Sequence, residues 1–182
     1  LLPFKVKKYN LDEIPHLPVK IMLNLGTPES AFKLSFLPAD GVGLAREEFI
    51  IAEKIKVHPL ALLHFNKIKS KLSKEEVRTI EDLARGYKDK KEFFINELAE
   101  GISQIAAAFY PKPVIVRFSD FKTNEYRNLL GGRYFEAEEN NPMIGFRGAC
   151  RYISSSFQPA FELECLAVKK AREEYGLTNI AV

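Results

Sequence analysis

The stretch VKIMLNLGTPESAFKLSFLPADGVGLAR, residues 19–46, decides the fold class. Its first seven residues alternate, with Val19, Ile21, Leu23 and Leu25 on one side and Lys20, Met22 and Asn24 on the other, which predicts a strand over 19–25. Gly26 ends it. Thr27, Pro28 and Glu29 supply an N-cap, a proline at the first helical position and an acid in the first turn, so a helix is expected to about 37, before Pro38. Residues 41–46 then read as a second short strand. Strand, helix and strand in so short a span point to parallel pairing through a helical crossover.

The pattern continues toward the C-terminus. A helical turn is expected over 47–53, and everything from 54 to 111 carries helix signals. Ser73 and Glu76 form a capping box that opens a helix to about Gly86, and Asp89 with Glu92 caps another. That second helix places Phe94, Leu98, Ile102, Ile105 and Phe109 on one stripe. Pro111 and Pro113 stop it. Residues 114–118 predict a third strand, apolar enough to be covered on both faces. Gly131-Gly132 and Asn140-Asn141-Pro142 mark a long connection without periodicity, and a last helix over 159–175 ends at Gly176. The fold class is α/β: a partial (β/α)8 TIM barrel with the first three to four βα units and a helical insertion after strand 2, or else a small open α/β sheet. A complete barrel needs about 250 residues, against 182 here. Residues 1–18 read as a leader or linker and 19–182 as the first half of the barrel. A first residue that is Leu, and an apolar run that breaks off at Val182, suggest a segment of a longer polypeptide.

Composition excludes several classes. With 46% hydrophobic and 28% charged residues, 10 Gly and 10 Pro, the chain is neither disordered nor collagen-like. A net charge of +3 from 27 basic and 24 acidic residues is too small for a polycationic nucleic-acid binder. Cys150 and Cys165 make no metal spacing and no disulfide framework, which fits a reducing cytoplasm. No apolar run reaches the roughly 18 residues of a membrane span.

Arginine is unevenly placed. Residues 117–151 hold Arg117, Arg127, Arg133, Arg147 and Arg151 against one lysine, Lys122, whereas the rest of the chain holds four arginines and 17 lysines. A guanidinium binds carboxylate or phosphate through two parallel donors and keeps its charge when desolvated, so this preference marks either anion binding or ion pairing. Arg127, Arg133 and Arg151 are open to pairing with Glu136, Glu138 and Glu139. Arg46 and Arg117 differ, because each stands at the C-terminal end of a predicted strand, and the C-terminal strand ends of an α/β barrel form its active face. Arg147 lies in MIGFRG (143–148), where flanking glycines permit a tight path. Three converging guanidinium groups imply a small, multiply charged anionic substrate.

Other features read as structural. GVGLAR (41–46) begins like a dinucleotide fingerprint but has Arg at the last required glycine, and no GxxxxGK[ST] occurs. His16, His58 and His64 lack metal-ligand spacing and are expected at the surface or in partly buried structural roles. Cys165 reads as a small core residue and Cys150 as a loop thiol. Lys67, Lys69, Lys71 and Lys74 read as a solvated face or linker.

Three segments carry a resemblance: GVGLAREEFI (41–50), AFYPKPVIVRFSDFKTNEY (108–126) and ENNPMIGFRG (139–148). In this order they resemble the phosphoenolpyruvate synthase (pyruvate, water dikinase) branch of the PEP-utilising enzymes. The likeness continues through RYIS (151–154), FELEC (161–165) and GLTN (176–179), and covers nearly the whole chain from Val19. It implies a (β/α)8 barrel that binds pyruvate and phosphoenolpyruvate with Mg²⁺, joined to an ATP-grasp domain and a swivelling phosphohistidine domain. Arg46 matches the family's G-L-x-R-x-E motif, Arg117 its V-R-x-S-D-F-K motif and Arg147 its N-P-M-x-G-x-R-G motif, which implies that all three hold the substrate's carboxylate and phosphate. Asp120, Asn124 and Glu125 are expected just behind them. No catalytic residue and no metal ligand is implied within this segment: the family's magnesium-binding Glu and Asp and its catalytic Cys are expected beyond Val182, and ATP is used by a domain not present here. Alternatives are a PEP-protein phosphotransferase or carbon–carbon lyase of the same superfamily, or a non-catalytic binding module. Further expectations are a cytoplasmic homo-oligomer with no nucleic-acid or membrane partner, and a segment inactive alone whose open sheet edges self-associate or require the missing half.

Overall fold

The structure, a computed structural model, describes residues 4–8, 10, 13–15, 17–141 and 145–182. His16 and residues 142–144 of the glycine-flanked loop lie outside them, as does part of the leader. Four strands, β1 (Met22–Leu25), β2 (Gly41–Arg46), β3 (Val114–Arg117) and β4 (Ile180–Ala181), form one sheet in the order β1-β2-β3-β4, every neighbouring pair parallel. Each strand is added on the same side of the last. That unreversed order is the wall of a barrel, whereas a doubly wound sheet reverses its order at a switch point. The chain is a partial (β/α)8 barrel.

Helix α1 (Pro28–Leu34) joins β1 to β2. The insertion after β2 comprises α2 (Glu47–Ile50), a π-helical turn (Ile51–Ile55), α3 (Pro59–Leu63), α4 (Phe65–Ile68), a 3-10 turn (Lys69–Lys71), α5 (Lys74–Leu83) and α6 (Lys90–Phe109). Between β3 and β4 run α7 (Thr123–Asn128), a 3-10 turn (Gly132–Tyr134), α8 (Ala149–Tyr152) and α9 (Gln158–Glu173). The predicted caps form: Ser73 and Glu76 make a reciprocal capping box, and Asp89 Oδ1 accepts from the Lys91 and Glu92 amides at 2.9 Å each. The apolar stripe of α6 is buried throughout, and α6 packs on β2, β3, α1 and α9. Gly101 permits the close approach of α6 to α2, since a Cβ there would meet Ile50 Cγ2 at 2.7 Å.

Several boundaries differ from expectation. The first strand begins only at Met22, and Val19 and Ile21 are 63% and 49% exposed. Pairing with β2 starts at Gly41, so the earlier residues have no ladder partner; Ile21 is tied instead to the Asp40 carboxylate and amide. Helix α1 ends at Leu34 rather than near 37, and the turn expected over 47–53 is four α-helical residues followed by the π-helical turn. Strand β3 is not covered on both faces. Val114 and Val116 are buried under α6, but Ile115 is 39% exposed, because the helices pack on one side of the four strands only. The long connection after β3, expected without periodicity, contains two short helices and a 3-10 turn.

Because α6 anchors the layer that holds the strands, truncating its stripe is expected to be costly. Leu98→Ala should lower unfolding free energy by about 2–5 kcal/mol, as for other buried Leu-to-Ala changes, measured by denaturant titration.

Candidate functional site

Arg46 and Arg117 are the last residues of β2 and β3, and the parallel register makes them direct partners across the sheet. Side chains two residues apart share a face, so this register sends both guanidinium groups off the C-terminal edge of adjacent strands. Arg147 reaches the same mouth from the loop before α8, where Gly148 takes a φ of 63°. All three line one cavity of about 270 Å³, together with Glu48, Asp120 and Glu125. Lys122 adds a fourth cation, and Phe49 and Phe121 supply apolar wall. Asn124 is exposed on α7 and does not line the cavity.

The arginines are oriented by carboxylates. Asp120 accepts from Arg147 Nε at 2.9 Å and Nη2 at 2.8 Å, a two-point fork, and its backbone carbonyl accepts from Nη2 at 3.0 Å. Glu48 Oε1 accepts from Arg117 Nη2 and from the Asp120 amide at 2.9 Å. Arg117 Nη1 lies 3.6 Å from Asp120 Oδ2. The Arg147 fork holds the Asp120 carboxyl below the usual aspartate range, so the pair is ionised at neutral pH. Arg46 has no carboxylate partner among the described residues. Its guanidinium lies 4.9 Å from the Phe49 ring centroid, and its Nε is buried without a hydrogen bond, as is Nε of Arg117. Such donors are rare unless something else satisfies them.

Glu48 and Lys122 were not singled out from the sequence, though both stand inside the quoted motifs. The available signal was position: Glu48 lies two residues past the end of β2, in the first turn of α2, facing the same mouth as Arg46. The three remaining arginines are structural. Arg127 lies 3.5 Å from Glu138, and Arg151 grips Glu136; Arg133 pairs not with its neighbours but with Glu76 on α5, through two donors at 2.6 and 2.9 Å. His58, expected no deeper than partly buried, is fully buried against Glu136. Cys165 is half-buried rather than a core residue.

A second acidic layer lies beneath the site. Glu47 and Glu164 are fully buried. Glu164 accepts from Ser119 Oγ at 2.6 Å and from the Ser119 amide at 3.1 Å, and Ser119 Oγ lies 2.5 Å from Tyr126 OH. Burial and the neighbouring Glu164 and Glu48 charges raise Glu47 well above the usual glutamate range, and burial raises Glu164 to about 7. Neither oxygen of Glu47 has a hydrogen-bond partner among the described residues, so burial favours its neutral form.

Among the described residues, no three His, Cys, Asp or Glu side chains converge as a metal centre. The Asp120 carboxylate is taken up by Arg147, and Glu48 Oε1 by Arg117 and the Asp120 amide. The residues here therefore do not by themselves fit the magnesium ion that the resemblance implies. No helix of the described residues is long and apolar enough to cross a membrane.

Comparison with known proteins adds an independent finding. Residues 5–182 match the family model for the PEP-utilising enzyme, PEP-binding domain. The chain is 53% identical over 180 residues to phosphoenolpyruvate synthase of Synechocystis sp., 54% over 181 residues to that of Pseudomonas aeruginosa and 51% over 182 residues to that of Escherichia coli. These alignments take in 99–100% of this chain and 22% of each relative, so the chain spans about a fifth of the length of the curated relatives it matches.

The buried pair makes stability depend on pH. Both carboxyls bind their proton more tightly in the folded than in the unfolded chain, so the stabilisation is complete below about pH 4.5 and declines as pH rises, the part due to Glu164 being lost through about 7. Glu47→Gln removes one of the two buried titrating carboxyls. It should flatten the fall in thermal midpoint expected for the unaltered protein between pH 5 and 8, read by calorimetry across that range.

Proposed function

The chain belongs to the PEP-utilising enzymes, as their PEP-binding domain, and from this we propose that it forms the substrate-gripping part of a phosphoenolpyruvate synthase. Residues 19–182 are the first half of its barrel, with 1–18 leading in. The observation that carries this reading is the pairing of Arg46 with Arg117 at adjacent strand ends, over a cavity that Arg147 also lines, with two buried guanidinium Nε donors left unpartnered.

The chemistry follows from charge. Pyruvate carries a carboxylate, and phosphoenolpyruvate adds a phosphate; both are planar or trigonal arrays of acceptor oxygens that match a guanidinium fork. When pyruvate loses a methyl proton, its carbonyl oxygen becomes an enolate, and that oxygen attacks phosphorus. Fixed guanidinium donors stabilise the charge that spreads over the enolate and the transferring group. Glu48 and Asp120 hold Arg117 and Arg147 in place before substrate arrives, so little reorganisation is needed at the moment of reaction.

In the full polypeptide, the reaction is ATP, pyruvate and water to AMP, phosphoenolpyruvate and phosphate, with a phosphohistidine as carrier. None of the three histidines of this chain sits in the family's Thr-Ser-His motif, so the carrier belongs to another part of the polypeptide, as do the sites for ATP and magnesium. Pyruvate, phosphoenolpyruvate and those other parts are the partners this reading gives the segment, within a cytoplasmic homo-oligomer.

Arg117→Ala in the full enzyme should abolish phosphoryl transfer to pyruvate, by at least about 10²–10³ in rate, while ATP-dependent histidine phosphorylation continues. Radiolabel from ATP followed onto protein and then onto pyruvate separates the two steps. Loss of both together, or of neither, contradicts the assignment.

A further inference from the structure

Behind the cavity, and not lining it, lies a buried ionic cluster. Arg151 on α8 is 1% exposed, and its Nη1 and Nη2 donate to the two oxygens of Glu136 at 2.5 and 2.9 Å. The guanidinium sits 4.4, 4.6 and 4.8 Å from the ring centroids of Tyr126, Phe146 and Phe157. Glu136 Oε1 is also 3.0 Å from His58 Nε2, and His58 Nδ1 accepts from the Leu60 amide, which fixes the tautomer with the proton on Nε2. The cluster thereby fastens the connection after β3 to the start of α3.

The third nitrogen of the Arg151 guanidinium is the informative one. Its Nε donates at 2.8 Å to the carbonyl of Phe146, the residue before Arg147. Buried ion pairs contribute little net stability, since apolar residues of similar volume often replace them without loss. What a guanidinium provides is direction: three donors in one rigid plane tie Glu136 and the Phe146 carbonyl in fixed relation, which a lysine ammonium cannot reproduce.

We propose that Arg151 is a positioning residue for Arg147, acting through the Phe146 carbonyl, and that the Glu136–His58 end of the cluster anchors it. Asp120 orients the Arg147 head group, and Arg151 sets where its backbone lies. The inference rests on reading Arg147 as a residue that binds phosphoenolpyruvate.

The test is a double-mutant cycle in the full enzyme with Arg151→Lys and Arg147→Lys, read as the dissociation constant of phosphoenolpyruvate by titration calorimetry, with kcat and KM for pyruvate alongside. Arg151→Lys should weaken phosphoenolpyruvate binding about tenfold, as expected for a displaced anion contact, and raise KM more than it lowers kcat. In the Arg147→Lys background the same change should add less than about twofold, since coupled residues are not additive. An unchanged dissociation constant, or a full additive effect in that background, overturns the positioning role while leaving the site intact. If Arg147→Lys alone changes neither binding nor kinetics, the substrate role of Arg147 fails, and the positioning role with it. Should Arg151→Lys not fold, Glu136→Gln, which loosens the same fork from its acceptor side, enters the cycle with the same two outcomes.

Discussion

The structure turns on a register. Parallel pairing of β2 with β3 sets Arg46 directly beside Arg117. Like charges directly opposite each other on adjacent strands are destabilising. A sheet edge that carries such a pair needs carboxylates close by or an anion across it. Glu48 and Asp120 are the first of these: they engage Arg117 and Arg147 and leave Arg46 open toward the cavity. The carboxylates are thus as much part of an anion site as the arginines, because they hold the forks apart and aimed when nothing is bound.

The same local geometry explains why two adjacent glutamates behave oppositely. Glu48 turns to the mouth and meets Arg117, whereas Glu47, one residue earlier on the same turn, turns into the core and finds another acid. Successive helical residues differ by about 100° in direction, so neighbours on the first turn of α2 face different media. Glu48 lies beside a cation, whereas burial drives Glu47 toward its neutral form.

Much of this was legible in the sequence because it is local. The capping box at Ser73, the cap at Asp89 and the stripe from Phe94 to Phe109 depend on residues three or four apart, and each formed as read. The second strand ends at Arg46 as read, and the third at Arg117, one residue short of the expected 118. What escaped notice lay in long-range partners. Arg133 finds Glu76 on a helix 57 residues earlier, and His58 finds Glu136 78 residues later; no periodicity reports either pairing. Val19 and Ile21 failed as strand residues for the same reason, since alternation states a preference but only the partner strand supplies the ladder.

The local excess of arginine has a wider cause than substrate binding. Arg117 reaches Glu48 and Asp120, Arg127 reaches the Glu136 carbonyl and Glu138, Arg133 forks onto Glu76, Arg147 forks onto Asp120, and Arg151 joins Glu136 to Phe146. Arg133, Arg147 and Arg151 each donate from more than one nitrogen, the property that separates guanidinium from ammonium. The connection between β3 and α9 has only short helical pieces, and directional multidentate bonds add to its buried Phe121, Tyr126 and Phe157 in fixing its path. Cavity-facing and structural arginines are therefore parts of a single framework: those that pin the connection determine where those that face the cavity can stand.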